Sequence, residues 1–237
     1  MTADRPPLAE GVPDRLYGRR RGHPLRPRQQ VLLDVTLPRI AFDPSQAADP
    51  RAAFAAPVAQ LWLEVGFGGG EHALALAAAH PDVGLIASEV FENGLCSLLS
   101  RLVPEGGEAD APLPPNLRLW PRDARHLLRA LPEGSLDRLY LMFPDPWPKA
   151  RHAKRRFVHP AMLAEVARAL RPGAEWRIAS DDPTYQAWVE EVFSGSAAFR
   201  LAGRAGTRPE GWPGTRYEAK ALAAGRAPCY WTVNRTI

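Results

Sequence analysis

Residues 61–79 read Leu-Trp-Leu-Glu-Val-Gly-Phe-Gly-Gly-Gly-Glu-His-Ala-Leu-Ala-Leu-Ala-Ala-Ala. The short apolar run at 61–65 predicts a buried strand, and the alanine- and leucine-rich run after the glycines predicts a helix. Strand, glycine loop and helix together are typical of the opening of a nucleotide-binding βαβ unit. Glycines permit tight turns with positive φ and let a ligand approach the backbone. The alternative is an ordinary strand-to-helix turn without a ligand.

The acidic residues around this loop indicate which ligand it would hold. The dinucleotide fingerprint requires a glycine where this chain has Glu71, and the phosphate-loop pattern is absent. Glu71 would place a negative charge at the helix start, where a pyrophosphate would otherwise sit, and Glu64 adds another. Such a loop suits a ligand with cationic groups and no phosphate. S-adenosylmethionine, which carries an ammonium and a sulfonium, fits that description.

Two further carboxylates follow predicted strands. The apolar run 83–88 ends at Glu89, which lies 19 positions after Gly70. An acidic residue at about this distance from a glycine loop commonly binds ribose hydroxyls, although Glu89 could instead cap a helix. Asp123 follows a third predicted strand at 116–120 and opens a predicted helix. It is either a simple N-cap or placed to reach an adenine amino group.

The segment 144–157 carries the strongest signal for the substrate. Asp145 lies between two prolines and close to Trp147, directly after an apolar strand predicted at 136–143. Prolines fix φ and remove backbone donors, so we expect a stiff loop. Five cations follow, namely Lys149, Arg151, Lys154, Arg155 and Arg156. An acidic and aromatic corner can hold a flat base, and a basic run can hold phosphates, which predicts an enzyme acting on a base within a nucleic acid. Trp147 would stack on that base or pack in the core.

The remaining pattern predicts an α/β fold with a mostly parallel sheet and helices on both faces. The predicted elements of the second half are a helix at 160–170, a strand at 175–179, a helix at 183–193, an irregular segment at 208–218 and a closing strand at 229–233. We divide the chain into a basic, partly flexible N-terminal segment, 1–40, and one Rossmann-like domain, 41–237. The first 30 residues hold seven arginines, including Arg19, Arg20 and Arg21. That segment is a candidate second RNA contact or a tail without a role.

Composition excludes several classes of protein. The chain has 237 residues and a net charge of +4, with a pI of about 9.4. It lacks the roughly 18 consecutive apolar residues of a membrane span and the apolar core of a signal peptide. Cys96 and Cys229 form no C-x-x-C pair, which favours a reducing compartment. The histidines show no metal-binding spacing. We therefore expect a cytoplasmic protein without a metal.

These motifs resemble the bacterial tRNA (guanine-N7-)-methyltransferases from about residue 14 to the C-terminus. The resemblance rests on five segments, which are 64–71, Glu89 with Asn93-Gly94, 144–156, 179–181 and 215–218. The segment 144–156 is far more specific than the glycine loop, which many methyltransferases share. The resemblance implies the class I methyltransferase fold with an antiparallel edge strand, S-adenosylmethionine as cofactor and guanine N7 in the tRNA variable loop as target. We expect no obligate protein partner.

The resemblance also implies roles for individual residues. The expected cofactor contacts are Glu64, Gly66, Gly68, Glu89, Asn93, Asp123 and Asp145. The expected substrate contacts are Lys149, Arg151, Lys154, Arg155, Arg156, Asp181, Thr215, Arg216, Tyr217 and Glu218. The family more often has Thr-Asp and an aromatic residue where this chain has Ser180-Asp181-Asp182-Pro183, and this departure bears on the role of Asp181.

The chemistry at guanine N7 requires no base, because N7 carries an unshared pair and no proton. The ring becomes cationic as it is methylated, so a nearby carboxylate would stabilise it. Asp145 is our candidate for this catalytic role, although it could also contact the cofactor. Asp181 could accept hydrogen bonds from the guanine N1–H and amino group.

Two other functions compete with this hypothesis. The first is methylation of an exocyclic amino group, but the order Pro-Asp-Pro-Trp here lacks the consecutive prolines of that motif. The second is an RNA-binding module that has lost its cofactor site. The acidic residues retained at three strand ends argue against that second alternative.

Overall fold

Seven strands form one sheet in the computed structural model, which describes residues 20–236. The strands are β1 (Gln60–Val65), β2 (Val83–Ser88), β3 (Leu117–Trp120), β4 (Leu136–Met142), β5 (Leu170–Ser180), β6 (Phe199–Ala205) and β7 (Cys229–Arg235). Their order across the sheet is β3-β2-β1-β4-β5-β7-β6. The first five are parallel, whereas β7 runs antiparallel to both β5 and β6.

Helices cover both faces of this sheet. They are α1 (Pro27–Val31), α2 (Leu37–Ile40), α3 (Glu71–Ala79), α4 (Glu92–Leu102), α5 (Ala124–Ala130), α6 (Pro160–Ala169), α7 (Pro183–Ser194) and α8 (Arg216–Ala223). The side chains of β1 alternate between two apolar clusters, with Leu61 and Leu63 in one and Trp62 in the other. Burial on both faces explains why the strand reads as a continuous apolar run. The predicted class I methyltransferase architecture is confirmed.

The order of the strands indicates where a ligand would bind. Strand order reverses at β1, which lies between β2 and β4. Ligands of open α/β sheets bind outside the carboxyl ends of the strands at such a switch point. The glycine loop, Glu89 and the segment around Asp145 follow those three strands directly.

The chain before β1 packs on the domain. A π-helical turn, Leu32–Thr36, joins α1 to α2, and Leu32, Thr36 and Ile40 are fully buried. The basic segment that we predict to be flexible extends over residues 1–40. Its first 19 residues, including Arg19, lie outside the described part of the chain, so the domain boundary stays a prediction.

Three local expectations differ from the structure. The segment 208–218 is not irregular to its end, because Thr215 caps α8. Residues Ala150–Arg155 form a 3-10 helix within the predicted stiff loop, since the last proline of the motif is Pro148. The sequence pattern did not predict β6, because most of its side chains are exposed on an edge strand. No helix in residues 20–236 combines the length and apolarity needed to cross a membrane.

Candidate active site

A cavity of about 830 Å³ opens at the carboxyl ends of β1, β2 and β4. The glycine loop, the end of β2, the start of α5 and the loop after β4 line it. Residues from separate chain segments therefore converge where the strand order reverses. This volume is in the range of small-molecule and cofactor sites.

Two glycines let the loop form one wall of the cavity. Gly68 has a φ of 59°, a conformation that side chains with a Cβ rarely adopt. A Cβ on Gly94, in the first turn of α4, would lie only 2.5 Å from the Gly68 carbonyl oxygen. Gly94 therefore allows α4 to approach the glycine loop, a role that the sequence alone did not reveal.

The Glu89 carboxylate is held by three backbone amides. Its Oε2 accepts a hydrogen bond of 2.7 Å from the Gly68 amide, and its Oε1 accepts bonds from the amides of Val90 and Phe91. Burial raises the pKa of the Glu89 carboxyl above its usual range and the nearby Asp145 adds to the rise, while the three backbone donors act in the opposite direction. Oε1 already accepts two bonds, whereas Oε2 accepts one and keeps a lone pair that could accept a hydroxyl donor.

Two residues expected at the cofactor lie away from the cavity wall. Glu64 is 1 % exposed, and its Oε1 lies 3.1 Å from Nδ1 of the equally buried His72 on α3. Asn93 accepts a hydrogen bond from the Gly22 amide and donates to the His23 carbonyl, so it ties the N-terminal segment to α4. Neither side chain lines the cavity in the described structure.

Asp123 combines the two alternatives that the sequence left open. Its carboxylate caps α5 by accepting from the Arg125 amide at 3.0 Å, and it forms an ion pair with the Arg125 guanidinium. Asp123 also lines the cavity. A capping role is thus present, and contact with an adenine amino group stays a prediction.

The loop after β4 holds Asp145 between two unusual backbone positions. Phe143 has a φ of 51° and Trp147 a φ of 44°, both in the left-handed region although neither residue is glycine. Such positions cost about 1–3 kcal/mol each and persist where surrounding contacts enforce them. Asp145 is exposed and lines the cavity. No hydrogen bond or ion pair within residues 20–236 holds its carboxylate.

Trp147 does not belong to either apolar cluster of residues 20–236. It is half-buried and lines the cavity. The Arg155 guanidinium lies over its ring, 4.7 Å from the ring centroid, and the His152 ring meets it edge-on. Of the two alternatives from the sequence, core packing is excluded.

The basic run has an outward and an inward part. Lys149, Arg151 and Lys154 are exposed on or beside the 3-10 helix. Arg156 is 5 % exposed, and its guanidinium donates to the carbonyl oxygens of Pro146 and Trp147. Because Arg156 is buried and uses two of its donors inside the protein, it is poorly placed to bind a phosphate.

Three of the predicted substrate residues in the C-terminal part have side chains that are bonded within the protein. Asp181 forms an ion pair with Arg226. The Glu218 carboxylate accepts from Arg208 at 3.0 Å and from the Tyr230 hydroxyl at 2.7 Å, and it completes the cap of α8 with Thr215. Thr215 and Glu218 thus hold α8 in place.

Tyr217 is the residue of this segment that faces the cavity. Its side chain lies against the glycine loop, because a Cβ on Gly68 would come within 3.0 Å of the Tyr217 ring. The Arg216 guanidinium and the Lys220 ammonium lie over the same ring at 4.9 and 5.9 Å from its centroid. Tyr217 lines the cavity together with Lys154 and Arg155 of the basic run, and we call the exposed cations beside these residues the cationic rim. Residues 20–236 contain no cluster of three or more His, Cys, Asp or Glu side chains suited to a metal ion.

Comparison with known proteins places this geometry in a family. A family model described as putative methyltransferase matches residues 58–229. A tRNA (guanine-N(7)-)-methyltransferase from Granulibacter bethesdensis is 67 % identical over 220 residues, which cover 92 % of this chain and 94 % of the relative. A protein of the same name from Rhodospirillum rubrum is 50 % identical and covers 93 % of this chain and 88 % of its own length.

Solved structures agree on the fold. The 16S rRNA methyltransferase KamB superposes with a TM-score of 0.55 at 19 % identity, covering 76 % of this chain and 89 % of that chain. A variant of a 16S rRNA (adenine(1408)-N(1))-methyltransferase, solved with its cosubstrate S-adenosylmethionine, gives a TM-score of 0.51 at 15 % identity and covers 82 % of this chain and 92 % of its own. At these identities the likeness concerns the fold alone.

Proposed function

Because this chain belongs to the bacterial tRNA (guanine-N7-)-methyltransferases, we propose how its cavity and rim transfer a methyl group from S-adenosylmethionine to N7 of a guanine in tRNA. The observation that carries the proposal is the arrangement of Glu89 and Asp145 around one cavity whose rim is basic. One carboxylate is buried and held by backbone donors, and the other is exposed and without a partner among residues 20–236. The two are therefore suited to different tasks.

The residues that line the cavity fit S-adenosylmethionine. Glu89 would accept a hydrogen bond from a ribose hydroxyl at Oε2, whose second lone pair is left by the Gly68 amide. Gly66 and Gly68 let the ligand approach the backbone, and Asp123 would meet the adenine amino group. When bound, the cofactor supplies an electrophilic methyl group. We propose that Glu64 acts from behind the glycine loop, where its buried charge favours a cationic ligand.

Asp145 would act on the base without taking a proton from it. Guanine N7 needs no deprotonation, so the enzyme has to orient the ring and offset the positive charge that grows on it. An exposed carboxylate at the cavity mouth can do both. Trp147, with Arg155 over one side of its ring, would provide a stacking surface for a base.

The tRNA would bind across the cationic rim. Lys149, Arg151 and Lys154 are exposed on or beside the 3-10 helix and would meet phosphates there, and Arg216 and Lys220 add positive charge around Tyr217. Asp181 would reach the guanine N1–H only by exchanging its partner Arg226 for the base. We expect the chain to work without a protein partner, in the cytoplasm where its tRNA substrate is found.

Incubation with labelled S-adenosylmethionine and unmodified tRNA, followed by nucleoside analysis, tests this function. The expected product is 7-methylguanosine, formed by the purified chain alone. A base methylated at N2 or N6 would support the exocyclic alternative. Failure to bind S-adenosylmethionine in calorimetry, with tRNA binding retained, would support the silent RNA-binding alternative.

A further inference from the structure

The loop that carries Asp145 has few backbone hydrogen bonds available to it. Pro144, Pro146 and Pro148 contribute no N–H group, and the left-handed positions at Phe143 and Trp147 are costly for residues with a Cβ. Such a conformation requires contacts from outside the loop. The carbonyl oxygens of the loop are the groups that such contacts can use.

Arg156 supplies these contacts. Its Nε donates to the Pro146 carbonyl at 3.0 Å, and its Nη2 donates to the Trp147 carbonyl at 3.1 Å. These carbonyls belong to the two residues that follow Asp145. The planar guanidinium can hold two acceptors at a fixed spacing, which an ammonium group cannot do.

Arg156 is itself held through its backbone and through its side chain. Arg156 ends the 3-10 helix, where its amide donates to the Ala153 carbonyl at 3.0 Å. Its guanidinium lies over the ring of Trp188 on α7, at 4.9 Å from the centroid. The Trp188 indole nitrogen in turn donates to the Val158 carbonyl at 2.6 Å. The loop is thus connected to the body of the domain through one buried cation.

We propose that Arg156 is a positioning residue for the methyl transfer, which fixes the Asp145 loop in its strained conformation and does not bind tRNA phosphate. The proposal rests on the proposed function of Asp145. The basic run then has two roles, because its exposed cations bind RNA while Arg156 sets the position of the Asp145 carboxylate.

The test compares Arg156→Met with Arg151→Met, an exposed cation of the same 3-10 helix. For Arg156→Met we expect kcat at saturating tRNA to fall about 10–100-fold, the scale for a small misplacement of a catalytic group. Its tRNA affinity should keep the wild-type dependence on salt. For Arg151→Met we expect the opposite pattern: the KM for tRNA rises and the salt slope falls by about 0.7–0.9, while kcat at saturating tRNA falls far less than in Arg156→Met.

Arg156→Lys provides a second measurement if the methionine variant does not fold. It keeps the charge and most of the stem over Trp188 but can reach only one of the two carbonyls, so its kcat should lie between those of the wild type and Arg156→Met. A wild-type kcat in Arg156→Lys or Arg156→Met, or a salt slope lowered as in Arg151→Met, would overturn the proposal. Absence of 7-methylguanosine with the wild-type chain would instead count against the proposed function.

Discussion

The Glu89 carboxylate accepts a hydrogen bond of 2.7 Å from the backbone amide of Gly68 and so ties the end of β2 to the loop after β1. Two of the segments that line the cavity are thereby fixed relative to each other. Oε2 keeps a second lone pair, so this one residue can both shape the cavity wall and contact a ligand.

Replacing Glu89 should weaken cofactor binding. We expect Glu89→Ala to reduce the affinity for S-adenosylmethionine by about 1–3 kcal/mol, the scale for losing buried or charge-assisted hydrogen bonds. Isothermal calorimetry measures this loss. Glu92→Ala is the matched control, because Glu92 pairs at the surface with the exposed Arg21, and such pairs contribute about 0–1 kcal/mol. Equal affinities in folded Glu89→Ala and wild-type protein would rule out the ribose contact.

The raised pKa of Glu89 predicts a pH dependence of cofactor affinity. Ribose hydroxyls donate to an ionised carboxylate, so affinity should be highest above this pKa and fall as the pH decreases through it. Because burial and Asp145 both raise the pKa, the fall should begin at a higher pH than an ordinary glutamate would give. Asp145→Asn removes one of these causes and should move the midpoint to lower pH. An unchanged midpoint would mean that another group controls the titration.

The contact between α4 and the glycine loop predicts the effect of one added methyl group. Alanine is favoured over glycine in a helix by about 0.5–1 kcal/mol, but a Cβ at residue 94 would lie 2.5 Å from the Gly68 carbonyl. Overpacking costs about 1–3 kcal/mol, so the clash should prevail. Gly94→Ala should lower the melting temperature and weaken cofactor binding. Gly206→Ala, where a Cβ meets nothing within 4 Å, should change neither.

Neutralising the exposed part of the basic run should affect RNA binding alone. In a variant with Lys149, Arg151 and Lys154 all changed to Gln, the slope of log affinity against log salt should flatten by about 0.7–0.9 for each lost phosphate contact. Cofactor affinity should be retained. Arg200→Gln, on the exposed edge strand β6, serves as the control. A salt slope equal to the wild type would show that tRNA binds to another surface.

Removing the charge of Asp145 tests its proposed role in the chemistry. Asp145→Asn keeps the shape of the side chain, and we expect kcat to fall about 10²–10³-fold, the scale for one preorganised electrostatic group. Affinity for tRNA should hardly change, and the rate should show no need for a deprotonated base near neutral pH. Turnover close to that of the wild type would mean that Asp181 stabilises the cationic ring, or that the enzyme only positions the base. Calorimetry with S-adenosylmethionine on the same variant separates a cofactor contact from catalysis.

The elements that the sequence predicted are those with buried faces and clear ends. The run 61–65 is buried on both faces and stops at glycines, and Pro160 opens a helix whose apolar side packs on the sheet. In contrast, β6 buries little beyond Phe199, so it leaves no hydrophobic pattern to detect. Helix α8 is short and begins in a segment rich in glycine, proline and charge, which hides its capping box.

The direction in which polar side chains point was the part of the site that the sequence could not supply. A run of closely spaced cations does not reveal that its last member turns inward, since the acceptors of Arg156 lie about ten positions earlier in the chain. Likewise Asn93 follows Glu89 closely, yet its partners Gly22 and His23 come from a distant segment. Such partners are set by tertiary packing and not by local spacing.

The antiparallel insertion of β7 between β5 and β6 has a consequence for biosynthesis. During translation β6 leaves the ribosome before β7, but it has no neighbour in the sheet until β7 arrives. The parallel strands can associate earlier, because each of β2 to β5 pairs with a strand that precedes it in the chain. The sheet can therefore be completed only after β7 has emerged from the ribosome. Nascent chains halted before residue 229 should leave the edge of β5 uncovered and accessible to chaperones.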